Sequence, residues 1–312
     1  MLSTLAVVLP VFATILAGWL ARRIGVLGAH ATKELSRFVV YLALPALLFD
    51  IVANARVADI WMPGFAGAFG LGSVVVFAGA VAIRRRESRP LADVAIDGLN
   101  AAYANTGFLG FPLAVAALGR DALAPTLIAT IITVCAVFAA AIVLIEIGLQ
   151  TERRRGPLIA KVARSLARNP LLVAPALGLL FPLSGLTVPA PVDSFLRLLG
   201  GAASPCALAA LGLFLAAERG EEEPAEAGVT TLLVALKLVA HPLVTWVFAV
   251  YAFRLDPPLV HAAVLMAALP TGTGSFMLAE HYQREVAVTS RVVLISTMLS
   301  VLTVSAYLAS IR

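Results

Sequence analysis

The chain has 312 residues, 61% of them apolar and 13% charged, against roughly 45–50% and 25% in a soluble domain, and its mean hydropathy is +0.96. A water-soluble globule of this size has too little interior to hide so much hydrocarbon, so lipid is the expected solvent. The net charge of +5 and isoelectric point near 9.6 do not imply nucleic acid, because the basic residues fall in short clusters between apolar runs, as in proteins oriented across a membrane.

Ten apolar runs follow one another along the chain: residues 2–21, 35–52, 60–83, 91–118, 122–149, 171–181, 194–217, 229–253, 258–279 and 286–311. At about 20 residues per spanning helix, ten spans leave room for short loops and no separate soluble domain. The first run has no basic residue before it and Arg22-Arg23 after it, the reverse of a signal peptide, so it is expected to be a retained first helix that starts outside. Between the fifth and sixth runs, Lys161, Arg164 and Arg168 recur at helical spacing against Leu158, Ile159, Val162 and Leu166, which predicts a short amphipathic helix on the membrane surface. The sixth run is short, and reaches spanning length only from Asn169-Pro170 or by continuing through Pro182 towards Leu186. Glu218, Glu221, Glu222, Glu223 and Glu226 make a solvated loop after the seventh. Cys135 and Cys206 lie inside apolar runs without metal-type spacing and are expected to be small buried residues.

Counting Lys and Arg in alternate loops tests this layout independently of hydropathy. With the N-terminus outside, seventeen basic residues fall on the inner side and five on the outer, with Lys237 left within a span. That asymmetry predicts ten spans with both termini outside, in the cell (inner) membrane. The basic linker, residues 153–168, divides the chain into a first five-helix unit, 1–152, and a second, 169–312. Five spans per half make the second half enter from the opposite face, so any relation between the halves is an inverted repeat, a construction common in secondary transporters. The predicted fold is therefore an all-α polytopic membrane protein of ten transmembrane helices in two inverted five-helix repeats, with broken helices 4 and 9.

The breaks are where chemistry is expected. In the fourth run Gly107, Gly110 and Pro112 are close enough to unwind a helix, and Asn100 and Asn105 precede them. In the ninth, Pro270 removes a donor, and Thr271, Gly272, Thr273, Gly274 and Ser275 supply small polar groups. Such interruptions survive in lipid only where the freed backbone is buried in protein or lines a cavity. A lone Pro or Gly usually means a kink or close packing; two interruptions in corresponding positions of two halves point instead to a transport site. Asn100, Asn105, Thr106, Gly107, Gly110, Pro112, Pro270, Thr271, Gly272, Thr273 and Ser275 are the candidate binding residues. The half-helices that begin after each break aim their positive ends at the midplane, a setting suited to a carboxylate.

Three ionisable residues lie deep in spans. Lys237 is about 12 Å into the eighth span at 1.5 Å per residue, and is read either as charge compensation for an anion or a partner for Asp97, or as a side chain snorkelling to the interface. His241, one turn on, is a proton relay or a satisfied core residue, and Asp97 is the best carboxylate candidate for a protonatable group. Asp50, Asp93, Glu146, His261, Glu280 and His281 are placed at span ends, and Ser296, Ser300 and Thr303 as packing groups of the last span. The sequence carries no H-E-x-x-H, G-x-S-x-G, P-loop or Cys/His metal cluster, so no enzyme activity, cofactor or metal is expected.

The stretches N-T-G-F-L-G-F-P (Asn105 to Pro112), L-P-T-G-T-G (Leu269 to Gly274), L-A-L-P-A-L-L-F around Pro45, R-N-P at Arg168 to Pro170, and S-P-C-A-L-A-A-L-G from Ser204 to Gly212 resemble the auxin efflux carrier family of permeases, related to plant PIN carriers and bacterial malate and malonate permeases. The resemblance implies a scaffold of spans 1, 2, 6 and 7 and a mobile transport unit of spans 3–5 and 8–10, with spans 4 and 9 crossing at their proline breaks as in sodium-coupled bile-acid-type carriers. Asn105, Pro112 and Pro270 fall on that crossover. In many relatives an Asn follows the span-9 proline; here Gly274-Ser275 occupies the stretch, so substrate identity does not carry over. The reading that results is a secondary carrier for a small organic anion, a carboxylate, working by alternating access. Alternatives are a sodium-coupled symporter of the bile-acid type and a non-transporting ligand sensor on the same fold. The partners expected are the organic anion and the lipid bilayer, with a homodimer as the candidate assembly; substrate, direction and coupling ion stay open.

Overall fold

The computed structural model describes residues 2–28, 30–55, 61–149, 163–164, 166–217 and 227–311, with side chains from residue 9 onward. Most of the predicted surface helix and the whole acidic loop 218–226 lie outside the described residues. Twelve helices account for nearly all the rest: α1 (Leu2–Arg23), α2 (Ala31–Ala53), α3 (Pro63–Arg85), α4 (Leu91–Ala102), α5 (Thr106–Leu118), α6 (Arg120–Leu149), α7 (Pro170–Ser184), α8 (Ala190–Ala216), α9 (Ala227–Ala252), α10 (Pro257–Ala268), α11 (Thr273–Tyr282) and α12 (Val286–Ser310). Six of them, α2, α3, α6, α8, α9 and α12, are long and apolar enough to cross a membrane, and α5, α7 and α10 are shorter apolar helices. The fourth and ninth apolar runs are thus not single helices but two pairs, α4–α5 and α10–α11.

Local chemistry explains several boundaries. The sixth run starts at Pro170, whose missing N–H is no loss in a first turn, and the Asn169 side chain caps it by accepting the Leu171 N–H at 3.0 Å. The helix stops at Gly185, where φ is +71° and a side chain would be strained. Wide π-helical turns interrupt α2, α6 and α9 and open α5 at Thr106–Gly110.

Without a hydrophobic drive between helices in lipid, close backbone approach at small residues does the packing. One group consists of α1, α2, α7 and α8. A Cβ on Gly18 of α1 would come within 2.9 Å of Ala209 Cα in α8, and one on Gly212 of α8 within 2.8 Å of Trp19 N, so the two backbones touch reciprocally. Gly200 of α8 and Gly178 of α7 meet the backbone of α2 at Leu47 and Phe49 in the same way. The second group joins α3, α4 and α6 to α9, α10 and α12, with Gly148 against Ala92 and Gly72 against Thr245.

Three of the four half-length helices, α4, α10 and α11, sit at the centre. Ala92 to Ala102 of α4 are all buried, as are Ala262 to Ala268 of α10 and Gly274 to Ala279 of α11. A helix apolar on every side must be surrounded, and enclosure also lets a broken helix persist in lipid.

Candidate functional site

The two interruptions meet. Leu269, preceding Pro270, is pushed into an extended conformation (φ −60°, ψ 151°), because a residue before proline is disfavoured in the helical region, so α10 ends at Ala268. Pro270 to Gly272 then run extended beside Tyr103 to Asn105, with an antiparallel bridge between Ala104 and Thr271. Asn105 N–H donates to the Pro270 carbonyl and Gly272 N–H to that of Tyr103, both at 2.9 Å. Two of the N–H groups freed by the breaks, one from each broken helix, are therefore satisfied by the other.

On the α4 side the break lies upstream of Gly107, Gly110 and Pro112, the residues expected to make it. Helix α4 stops at Ala102; Tyr103 is extended (φ −80°, ψ 94°) and paired across the fold, and Asn105 (φ −76°, ψ 53°) makes a tight turn in which the Thr106 N–H donates to the Ala104 carbonyl at 2.8 Å. Gly110 instead serves close packing, 3.3 Å from Met266 Sδ and Thr126 by its would-be Cβ. Pro112 lies within α5, near the end of its opening π-turn.

Side chains complete the frame. Thr271 donates its hydroxyl to the Asn100 carbonyl at 2.8 Å and its N–H to Ser296 Oγ at 3.1 Å, and the Asn100 amide donates to Thr289 at 2.9 Å. Gly272 and Gly274 are small because the Tyr103 ring lies over both; a Cβ on Gly274 would be 2.6 Å from the phenol oxygen. Ser296, placed as a packing group, is thus a crossover ligand, and Thr289 and Tyr103 carry no local sequence signal that would single them out.

A cavity of about 200 Å³ lies beside the crossover, between α2 and α8 of the first helix group on one side and α5, α6 and α11 on the other. Asn105, Gly107 and Phe108 face it from the start of α5, Thr273, Gly274 and Met277 from the start of α11, and Val39, Leu44, Leu47, Gly200 and Ser204 from α2 and α8. Of the expected binding residues, Asn105, Gly107 and Thr273 line this cavity; Asn100, Pro270, Thr271 and Gly272 build the frame behind it. Thr106 and Ser275 are fully buried, and their hydroxyls, like the Asn100 side-chain oxygen Oδ1, have no partner among the described residues. No lining residue carries a formal charge. The N-termini of α5 and α11 face the cavity, and a helix N-terminus, whose first amides lack intrahelical partners, carries a partial positive charge.

The deep ionisable residues separate into two clusters. Lys237 is not the partner of Asp97: Asp97 accepts from Arg84 Nε at 2.8 Å, and both side chains are buried. Arg84, counted as a loop charge from its place in Arg84-Arg85-Arg86, turns inward and also pairs with Glu87. Arg89 with Glu285, and Arg284 with Asp93 at 2.6 Å, extend this ionic network to the turn before α12. Burial, and next the charge of Asp97, push the Glu285 carboxyl above its ordinary value. Lys237 does not snorkel either. It is fully buried and donates to the Ala267 carbonyl at 2.6 Å and to His241 Nδ1 at 3.0 Å. In a continuous helix the Ala267 carbonyl would accept from Thr271, so the lysine satisfies a group that the break exposes. His241 Nε2 lies 3.0 Å from Ser73 Oγ, whose hydroxyl donates to the Phe69 carbonyl; the imidazole therefore donates through Nε2 and accepts through Nδ1.

Residues 4–308 match the family profile described as "Membrane transport protein". A Rhizobium meliloti (strain 1021) protein described as a "Putative malonate transporter" is 32% identical, over 98% of this chain and 95% of its own. A "Probable auxin efflux carrier component 5c" of Oryza sativa subsp. japonica is 33% identical over 47% of this chain and 40% of its own. The "Uncharacterized transporter YfdV" of Escherichia coli (strain K12) is 27% identical over 88% and 87%.

Proposed function

We propose that this chain, which belongs to the membrane transport protein family and with it to the auxin efflux carrier type of permease, is a secondary carrier that moves a small carboxylate anion by alternating access. The observation that carries the reading is the pairing of two broken helices, back to back at the centre of the molecule, with both downstream N-termini opening on one cavity. Each N-terminus is equivalent to about half a positive charge, so the two together match one carboxylate without burying a formal cation. The cavity is smaller than the roughly 300–1,000 Å³ that drug-sized ligands occupy, which favours a substrate of few heavy atoms; the malonate in the description of the Rhizobium relative is of this kind. Asn105 would orient the anion, because it lines the cavity and its side-chain amide offers donors that a carboxylate accepts. In this reading the chain crosses the cell membrane ten times with both termini outside, residues 1–152 and 169–312 are inverted halves joined by the basic linker 153–168, and the α1–α2–α7–α8 group is the scaffold against which the rest moves.

Purified protein in proteoliposomes tests it directly. Saturable flux of a small dicarboxylate is expected, and Asn105→Ala should reduce it at least tenfold, the loss of about one oriented hydrogen bond to a charged group. No saturable carboxylate flux, or flux indifferent to Asn105→Ala, would refute the proposal. Sodium-coupled symport is the second reading, favoured by the unpartnered buried oxygens of Asp97, Asn100, Thr106 and Ser275, since hard cations take oxygen ligands. Replacing sodium by choline decides between the two.

A further inference from the structure

Two helix N-termini supply about one positive charge, so a dianion in the crossover cavity has one carboxylate unmatched. A second cavity, of about 230 Å³, opens on the same seam between α2 and α11. The crossover cavity touches Val39 on α2 and Met277 on α11; the second touches Ser36 on α2 and Glu280 and His281 on α11. These residues are three or four apart on each helix, so the cavities are stacked one helical turn from each other along one seam. It is therefore the seam itself, between the two helix groups, that joins them.

Their chemistry differs. The second cavity is polar, and Lys33 and Arg37 of α2 line it. Arg37 reaches Glu34 only at 3.5 Å on an exposed surface, a pair worth little, which leaves most of its planar donor fork available for a carboxylate. Ser36 is 4% exposed, and its hydroxyl has no partner among the described residues. A buried donor in that position asks for an acceptor. Glu280 faces the cavity and feels the charge of Lys33, and Glu34 lies against Arg37, so what the site offers an anion is the unused donors of Arg37, Lys33 and Ser36, with no excess of formal charge. The His281 ring stands edge-on to Tyr41 at 5.6 Å and closes the cavity on the α11 side.

We propose that Lys33, Ser36 and Arg37 form a second binding site for a small carboxylate anion, one helical turn from the crossover cavity on the path along the α2–α11 seam. The proposal rests on the carrier reading for its purpose, and on the cavity itself for its chemistry.

The test uses full-length protein and radiolabelled malonate as the probe, with binding measured in detergent and flux in proteoliposomes. Wild type is expected to bind two malonates and Asn105→Ala one. The double variant Lys33→Gln/Arg37→Gln should also bind one, and its flux KM should rise about tenfold at unchanged Vmax. Ser36→Ala should weaken the same site several-fold, and Lys33→Arg should behave as wild type. Both basic side chains are exposed, so an unchanged thermal midpoint is expected for the double variant. Wild-type stoichiometry and KM in the folded double variant would overturn the proposal while leaving the carrier reading intact. Absence of flux in every protein would remove the carrier reading, yet a malonate lost only with Lys33 and Arg37 would still uphold the site.

Discussion

Removing either member of the Arg84–Asp97 pair leaves the other charged and out of water, Asp97 with no ion pair and Arg84 with only the half-exposed Glu87, since both side chains are almost wholly buried. Such an orphan typically costs about 3–5 kcal/mol, whereas replacing both partners with apolar groups is often neutral. Asp97→Leu should therefore lower the thermal midpoint sharply, and Arg84→Met/Asp97→Leu should recover most of it. A proton-coupling role makes a different prediction: Asp97→Asn would keep the midpoint but abolish the pH dependence of flux. Measuring both in the same variants separates a structural pair from a titrating one. The same distinction holds for Lys237. Its two bonds, to Ala267 and His241, identify it as a cap on the end of α10, a role that depth in a span does not by itself reveal.

At the scale of elements, the crossover depends on glycine wherever Tyr103 covers the opposite strand. Gly274→Ala would place a methyl group 2.6–2.9 Å from the Tyr103 ring, and overpacking of that kind costs about 1–3 kcal/mol. Because the ring also packs on Phe138, with centroids 5.5 Å apart, it has little room to yield. Gly274→Ala alone should therefore lower both midpoint and flux, and Tyr103→Ala/Gly274→Ala should be less destabilised than the sum of the single variants. Strict additivity in that cycle would show that the two residues do not touch. The crossover also marks how far local sequence reaches. Pro270 announces its break, because a proline acts on its own neighbour, Leu269. Tyr103 to Asn105 contain neither Pro nor Gly, and their non-helical backbone is held by a partner about 170 residues away, at Pro270 to Gly272. Ser296 was hidden for a related reason: its spacing with Ser300 and Thr303 is that of a packing stripe, and only the arrival of the Thr271 N–H makes it a ligand. Hydropathy locates the apolar runs and even the weak sixth, but it cannot show that Arg84, in a basic triplet, turns inward to Asp97.

The whole molecule divides at the seam that runs between α2 and α8 on one side and α5 and α11 on the other, with the crossover cavity within it. Within each group glycine contacts bring backbones together, as at Gly18 and Gly212 or Gly148 and Ala92, and packed interfaces of that kind do not deform gradually. Across the seam the contacts are of another sort, ring against ring, as at Phe214 and Phe276 (5.7 Å) or Tyr41 and His281 (5.6 Å), which can part and re-form as small sliding movements require. If alternating access moves one group past the other, a covalent bridge across the seam must stop transport and a bridge inside one group must not. With Cys135 and Cys206 first replaced by alanine, Tyr41→Cys/His281→Cys joined by a thiol-cleavable bifunctional reagent should lose flux and regain it on reduction. Phe49→Cys/Phe181→Cys, at positions whose rings meet with centroids 5.5 Å apart inside the α1–α2–α7–α8 group, should keep the same flux before and after cross-linking. Transport that continues at full rate in the cross-linked Tyr41–His281 fraction would mean that the seam does not move, and that the anion passes the crossover by some route other than displacement of the two groups.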